Sequence, residues 1–246
     1  MIEILTLLIL LIPFTIFIFN SIILRNLISD NSEIPGIVNS ISIGISFIFA
    51  LIVLFNVGDF SSSISFTWIS LNNVDITFSF LVDPLTAIML VVVSGVSFLV
   101  QIYSIGYMHG DKSFCRYFSY MALFTGSMLG LVMSRNILQL FIFWELVGAT
   151  SYLLIGFWYK KQSAIKAAKK AFLMTRVGDF GLITGILLIA KEGSQYLDIT
   201  QLYIGVQNGL FTENFIFLVG LLIVIGAIGK SAQFPLHNWL PDAMEG

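Results

Sequence analysis

The chain is poor in the residues that build metal, haem and nucleotide sites. It has one cysteine, Cys115, and two histidines, His109 and His237. A single thiol forms no internal disulfide and holds no zinc or iron–sulfur site alone. There is no G-x-G-x-x-G and no P-loop, so no nucleotide site is visible and no cofactor is expected in this chain. Charge is scarce too: 11% of the 246 residues are charged, while 57% are hydrophobic. That balance excludes an ordinary soluble domain and gives no basic face for nucleic acid. It points to a polytopic membrane protein whose first partner is the lipid bilayer.

What is abundant is long apolar runs. A span needs about 20 such residues, and seven stretches qualify: Ile4–Leu24, Ile37–Val57, Pro84–Tyr107, Tyr117–Met133, Ile137–Trp158, Ala167–Ala190 and Phe215–Leu240. The first is too long for a signal-peptide core and is followed by no small-residue cleavage site, so it reads as a retained span. The expected fold is all-α and polytopic. Its expected divisions are two N-terminal helices in 1–58, a loop over 59–83, and the remaining helices in 84–246. The loop alternates polar and apolar residues, which suits a hairpin or an irregular interfacial segment. It carries Asp59, Asp75 and Asp83 and no Lys or Arg. Placing it outside puts eight basic residues inside and only Arg135 and Lys191 outside, in line with the positive-inside rule. Asp83–Pro84 reads as a helix N-cap. The lysines of KKQSAIKAAKK read as an inner-face anchor, with proton entry the lesser reading. His109 reads as a solvated loop residue.

The remaining charges fall inside the spans. Glu145 lies near the middle of the fifth, too deep to reach a headgroup, and an acid there is either a functional group or half of a structural ion pair. Arg176 and Asp179 are three residues apart on the sixth span, so they can pair with each other or serve as counter-charge to a neighbour. Lys230 follows an apolar run and precedes two prolines, Pro235 and Pro241, with Gly226 and Gly229 just before it. A lysine at a helix centre costs roughly 2.5–3.5 kcal/mol on insertion scales. Broken backbone at membrane depth is tolerated only where protein or a wet cavity surrounds it. This reads as a discontinuous seventh helix with an ionisable group at its break. A Glu145–Lys230 pair of variable separation would act as a proton switch. His237 would share the face of Lys230 if the helix resumed, and reads equally as a relay or as an interfacial histidine.

Three segments, WELVG…SYLLIGFWY (Trp144–Tyr159), KAFLMTRVGDFG (Lys170–Gly181) and GKSAQFPLHNWLPDAMEG (Gly229–Gly246), resemble the antiporter-like membrane subunit family of respiratory complex I, called chain 5 or subunit L. FSFLVDPLTAIMLVVVSGVSFLVQIYSIGYM is similar to that family's N-terminal region, and the resemblance covers about residues 60–246. It implies proton transfer at Glu145 and Lys230, with Arg176 and Asp179 as the charged pair of the sixth helix and His237 a weaker match. It implies no redox centre in this chain. FMN, iron–sulfur clusters and quinone are then expected in partner subunits, and the other membrane-arm subunits as neighbours. The family has two inverted five-helix repeats, and the chain ends inside the first, so it is expected to be an N-terminal fragment that moves no protons alone. The runner-up is the large subunit of a multi-subunit Na⁺/H⁺ antiporter. Membrane hydrogenase relatives and a membrane scaffold without transport are weaker alternatives. The expected location is a bacterial cytoplasmic membrane or an organelle inner membrane.

Overall fold

The computed structural model describes residues 2–27, 32–58, 62–71 and 74–246. Asp59 lies outside the described residues. The chain is mostly helical. In order come α1 (Ile2–Leu27) and α2 (Ile34–Val57), then the strands β1 (Ser62–Leu71) and β2 (Val74–Val82). They are followed by α3 (Pro84–Tyr107), α4 (Phe114–Val132), α5 (Ile137–Ile155), α6 (Gln162–Glu192), α7 (Ile199–Gln207), α8 (Glu213–Lys230) and the short α9 (Leu240–Ala243). Among the described residues, six helices are long and apolar enough to cross a membrane: α1, α2, α3, α5, α6 and α8. With these helices the chain is an integral membrane protein.

Two compact units divide the chain, one of residues 1–64 and 81–133, the other of residues 65–80 and 134–246. In the first, α4 packs on α1, α2 and α3. Enclosure explains why α4, an expected span, is not among the six. A helix covered by protein does not need the all-round apolar surface that lipid demands, and α4 carries Ser119, Thr125 and Ser127 buried. Hydroxyl and amide groups join it to α3: Ser97 and Thr125 share a hydrogen bond of 2.5 Å, Gln101 donates to Ser97 at 3.1 Å, and Ser104 bonds Tyr117 at 3.0 Å. Asp83 caps α3 as its sequence suggests, its carboxylate accepting from the Thr86 backbone N–H at 2.7 Å with Pro84 in the first turn. His109 is not simply solvated. Its ring pairs with Glu33 at 2.7 Å, although both side chains remain exposed, so the pair is worth at most about 1 kcal/mol.

The second unit places the charges that fall inside the spans. Strands β1 and β2 form a two-stranded sheet. Gln139 of α5 accepts from the Ser79 backbone at 2.7 Å, and Phe78 packs edge-on against Phe143. Asn136 caps α5 through the backbone N–H groups of Leu138 and Gln139. Helix α6 begins at the lysine cluster, earlier than the apolar run implies, and its 31 residues reach about 46 Å at 1.5 Å per residue. That exceeds a hydrocarbon core of about 30 Å, and the charge of the lysine-bearing end suits it to the headgroup side of that excess.

The seam between α6 and α8 is lined by glycines. A Cβ on Gly178 would lie 3.0 Å from both the Gly229 Cα and the Ile225 carbonyl oxygen. Backbones come this close in membranes because packing of small residues, and no hydrophobic effect, holds helices together there.

Candidate functional site

Helix α8 runs unbroken to Lys230 and stops. No helix resumes before Leu240, so the shared face imagined for Lys230 and His237 does not exist. Pro235 has no N–H to donate and Pro241 cannot sit in a helix interior, and Ala232 takes a positive φ of 51°. His237 is exposed and packs at a tilt against Phe234, with ring centroids 5.8 Å apart.

Lys230 lies at the helix end, turned toward α5. Its ammonium donates to the Trp144 carbonyl oxygen at 3.0 Å and lies 5.7 Å from the centre of the Trp144 ring. Gly148, one turn along α5 from Trp144, leaves the slot. A Cβ there would fall on the ammonium itself. The Trp144 indole N–H donates to Asp179 on α6 at 2.6 Å, so one tryptophan holds the lysine with its backbone and the aspartate with its side chain. Asp179 is 2% exposed.

Arg176 bonds Glu145, and the two side chains are 32% and 21% exposed. The guanidinium also stacks over Phe172, 4.5 Å from the ring centre. Its Nε stands 4.0 Å from Asp179. The expected local Arg176–Asp179 pair is therefore the secondary contact: Glu145 takes the guanidinium from across the helix interface, and the Trp144 indole takes one oxygen of Asp179. Nor do Glu145 and Lys230 form a direct ion pair among the described residues. Together the group is two carboxylates, one guanidinium and one ammonium, with a formal sum of zero. One oxygen on each acid, Glu145 Oε1 and Asp179 Oδ2, accepts no hydrogen bond among the described residues.

Sequence reasoning found the four charges and missed Trp144 and Gly148. The signal was present: Trp144 precedes Glu145, and Gly148 follows Trp144 by four, which puts tryptophan and glycine on one helical face.

Beyond the break, two lysines of the cluster hold the following segment. Lys170 bonds Asp242 at 2.7 Å and Lys161 bonds Glu245 at 2.8 Å. Hydrogen bonds from Lys161 and Ser163, with the lysine's charge, hold the exposed Glu245 carboxyl below its usual range. A depressed folded-state value contributes stability that is present above the unfolded value, about 4.3 for Glu, and lost as pH falls through the folded one. The tether is therefore expected to hold at neutral pH and loosen only in acid. A nitroxide at the exposed Met244 of the full-length protein should show constant mobility from pH 8 to 5 and rising mobility below. Mobility that changes between pH 8 and 6 would contradict this.

No group of three His, Cys, Asp or Glu side chains is placed to hold a metal among the described residues.

Residues 134–246 match the family described as "NADH:quinone oxidoreductase/Mrp antiporter, TM", and residues 68–118 match "NADH-Ubiquinone oxidoreductase (complex I), chain 5 N-terminus". The chain is 49% identical over 210 residues to chloroplastic NAD(P)H-quinone oxidoreductase subunit 5 of Mesostigma viride, covering 83% of this chain and 32% of that protein. It is 52% identical over 191 residues to NADH-quinone oxidoreductase subunit L of Neisseria meningitidis serogroup A, covering 74% of this chain and 28% of the relative. The chain thus spans about a third or less of these relatives' length. A solved structure of the Mrp complex from a Dietzia species matches with a TM-score of 0.81 at 26% identity, over 98% of this chain and 25% of the Dietzia chain. The chain belongs to the antiporter-like membrane subunit family of respiratory complex I, that of chain 5 or subunit L.

Proposed function

We propose that this chain is part of a proton-translocating membrane-arm subunit of NADH–quinone oxidoreductase, and that Glu145, Arg176, Asp179 and Lys230 carry the transfer. The observation that carries the proposal is the neutral set of four charges on three adjoining helices, with Arg176 bonded to one acid and 4.0 Å from the other. A small swing of the guanidinium from Glu145 to Asp179 would exchange which acid is neutralised. The acid left uncovered attracts a proton or the nearby ammonium. Lys230 keeps its proton while a carboxylate faces it and releases it when that charge is covered. A half-channel would deliver the proton to Lys230, and the irregular segment after it would lead onward past His237. Electron transfer, with FMN, iron–sulfur clusters and quinone, belongs to partner subunits, and the other membrane-arm subunits are the expected neighbours.

In the same reading α4 is counted as a seventh span. Strands β1 and β2 face outward, between an N-terminal part, 1–58, and the charged part, 84–246. Bacterial and chloroplast relatives make a bacterial cytoplasmic membrane or an organelle membrane the setting. Exchange of Na⁺ for H⁺ is the second reading, favoured by the likeness to the Mrp complex, but the relatives near 50% identity carry quinone oxidoreductase names.

The test is NADH-driven acidification of inverted vesicles containing the full-length protein, wild type against Glu145→Gln. Most of the pH gradient should be lost while the complex assembles normally on a native gel. An unchanged gradient would remove Glu145 from transport, and lost Na⁺/H⁺ exchange beside an unchanged gradient would favour the antiporter.

A further inference from the structure

The helices that bring Glu145 to Arg176 also leave a cleft beside them, of about 510 Å³. Two matching triplets line it: Ala149, Tyr152 and Leu153 on α5, and Lys169, Phe172 and Leu173 on α6. Each is an i, i+3, i+4 set, so each presents one continuous helical face. The cleft lies within the range of ligand-binding pockets. Its walls are apolar except for the Tyr152 hydroxyl and the lysine. A column of water would find few partners there, whereas hydrocarbon meets the same surface it leaves in the bilayer.

The lysine gives the cleft its charge. Within the basic cluster, Lys170 and Lys161 are taken up by Asp242 and Glu245. Lys169 is exposed and makes no ion pair among the described residues. It stands two turns into α6, within the lysine cluster whose composition suits the headgroup side of the membrane. Basic pockets between helices at a membrane surface suit anionic lipid headgroups, and an ammonium binds phosphate as a compact point charge.

We propose that the α5–α6 cleft is a binding site for an anionic phospholipid, with the headgroup phosphate on Lys169 and an acyl chain lying on Tyr152, Phe172 and Leu173. The site extends one turn short of the buried charges, since Glu145 lies four residues before Ala149 and Arg176 four after Phe172. The acyl chain would brace Phe172, which is packed edge-on by Tyr152 at 5.6 Å and carries the Arg176 guanidinium on its face. The inference needs only the membrane setting and does not rest on the proton-transfer reading.

The test reads lipid capture and not transport. p-Benzoyl-phenylalanine is placed at position 173, where Leu173 is 64% exposed, in the full-length protein within its complex. The protein is reconstituted in phosphatidylglycerol–phosphatidylcholine vesicles and irradiated, and the adducts are weighed by mass spectrometry. Phosphatidylglycerol adducts are expected in about fivefold excess over the lipid ratio, the worth of one lysine near an anionic surface. Lys169→Gln should bring the excess to parity, and Lys166→Gln should not. A second probe at Leu153 covers the case in which position 173 disturbs assembly. Adducts to a peptide would show that a helix of a longer chain or of a neighbouring subunit fills the cleft. That result, or equal capture of the two lipids, overturns the proposal.

Discussion

Lys230→Met in the full-length protein is expected to lower proton transport on the order of 100-fold, the lower end of what a positioned proton-transfer group contributes, with near-normal assembly. Methionine keeps the length and flexibility of lysine and fills the same slot beside Gly148 without the charge. The structural loss is small. The Trp144 carbonyl oxygen loses one hydrogen bond from the ammonium, worth about 1–3 kcal/mol for a charged donor. Removing a half-buried cation from an apolar helix end offsets part of that loss. The functional loss is larger, because two carboxylates then face one guanidinium. Arg176 cannot leave Glu145 for Asp179 without exposing the other acid, and the group that would accept and pass the proton is gone. NADH-driven acidification normalised to assembled complex is the measurement. Lys230→Arg separates charge from chemistry: it restores the balance but stays protonated, so assembly should be as in wild type and transport still low. Normal transport in Lys230→Met would place the proton route elsewhere.

The parts of this site that could be read in the sequence are those that violate a composition rule. A carboxylate, a guanidinium and an ammonium inside apolar runs are costly in lipid, so Glu145, Arg176, Asp179 and Lys230 stand out without any structure. Asp83 was legible for a similarly local reason, because aspartate before proline satisfies orphan N–H groups at a helix start. What the sequence did not reveal are choices between partners. Arg176 and Asp179 lie three apart, and spacing favours their mutual pair. Glu145 wins the guanidinium because α5 and α6 pack face to face, a tertiary fact. Trp144 was hidden because its role divides between backbone and indole, and a backbone carbonyl has no signature in the sequence. Among the seven expected spans α4 stands apart, because a helix enclosed by α1, α2 and α3 does not need the all-round apolar surface that lipid demands.

The position of Lys230 depends on how closely α8 approaches α6, so the second large effect is expected at the glycine seam. Gly178→Val should block assembly of the full-length protein, and Gly178→Ala should destabilise it by about 1–3 kcal/mol, the usual cost of overpacking. The added Cβ would meet the Gly229 Cα and the Ile225 carbonyl oxygen at 3.0 Å and the Gly226 carbonyl oxygen at 3.3 Å. All three are backbone atoms, which cannot rotate away, so relief requires α8 itself to move. Any retreat of α8 carries Lys230 away from Trp144, whose carbonyl oxygen it now meets at 3.0 Å. Transport should therefore fall in whatever fraction of Gly178→Ala still assembles. Gly220→Ala is the control. It lies in α8, the partner helix of the seam, and nothing stands within 4 Å of the added Cβ. There alanine should be neutral or stabilising by up to about 1 kcal/mol through helix propensity. Thermal stability of the detergent-solubilised complex and its yield on a native gel distinguish the two. Equal behaviour of Gly178→Ala and Gly220→Ala would mean that the seam yields easily and that the reach of Lys230 is set by the segment after the break.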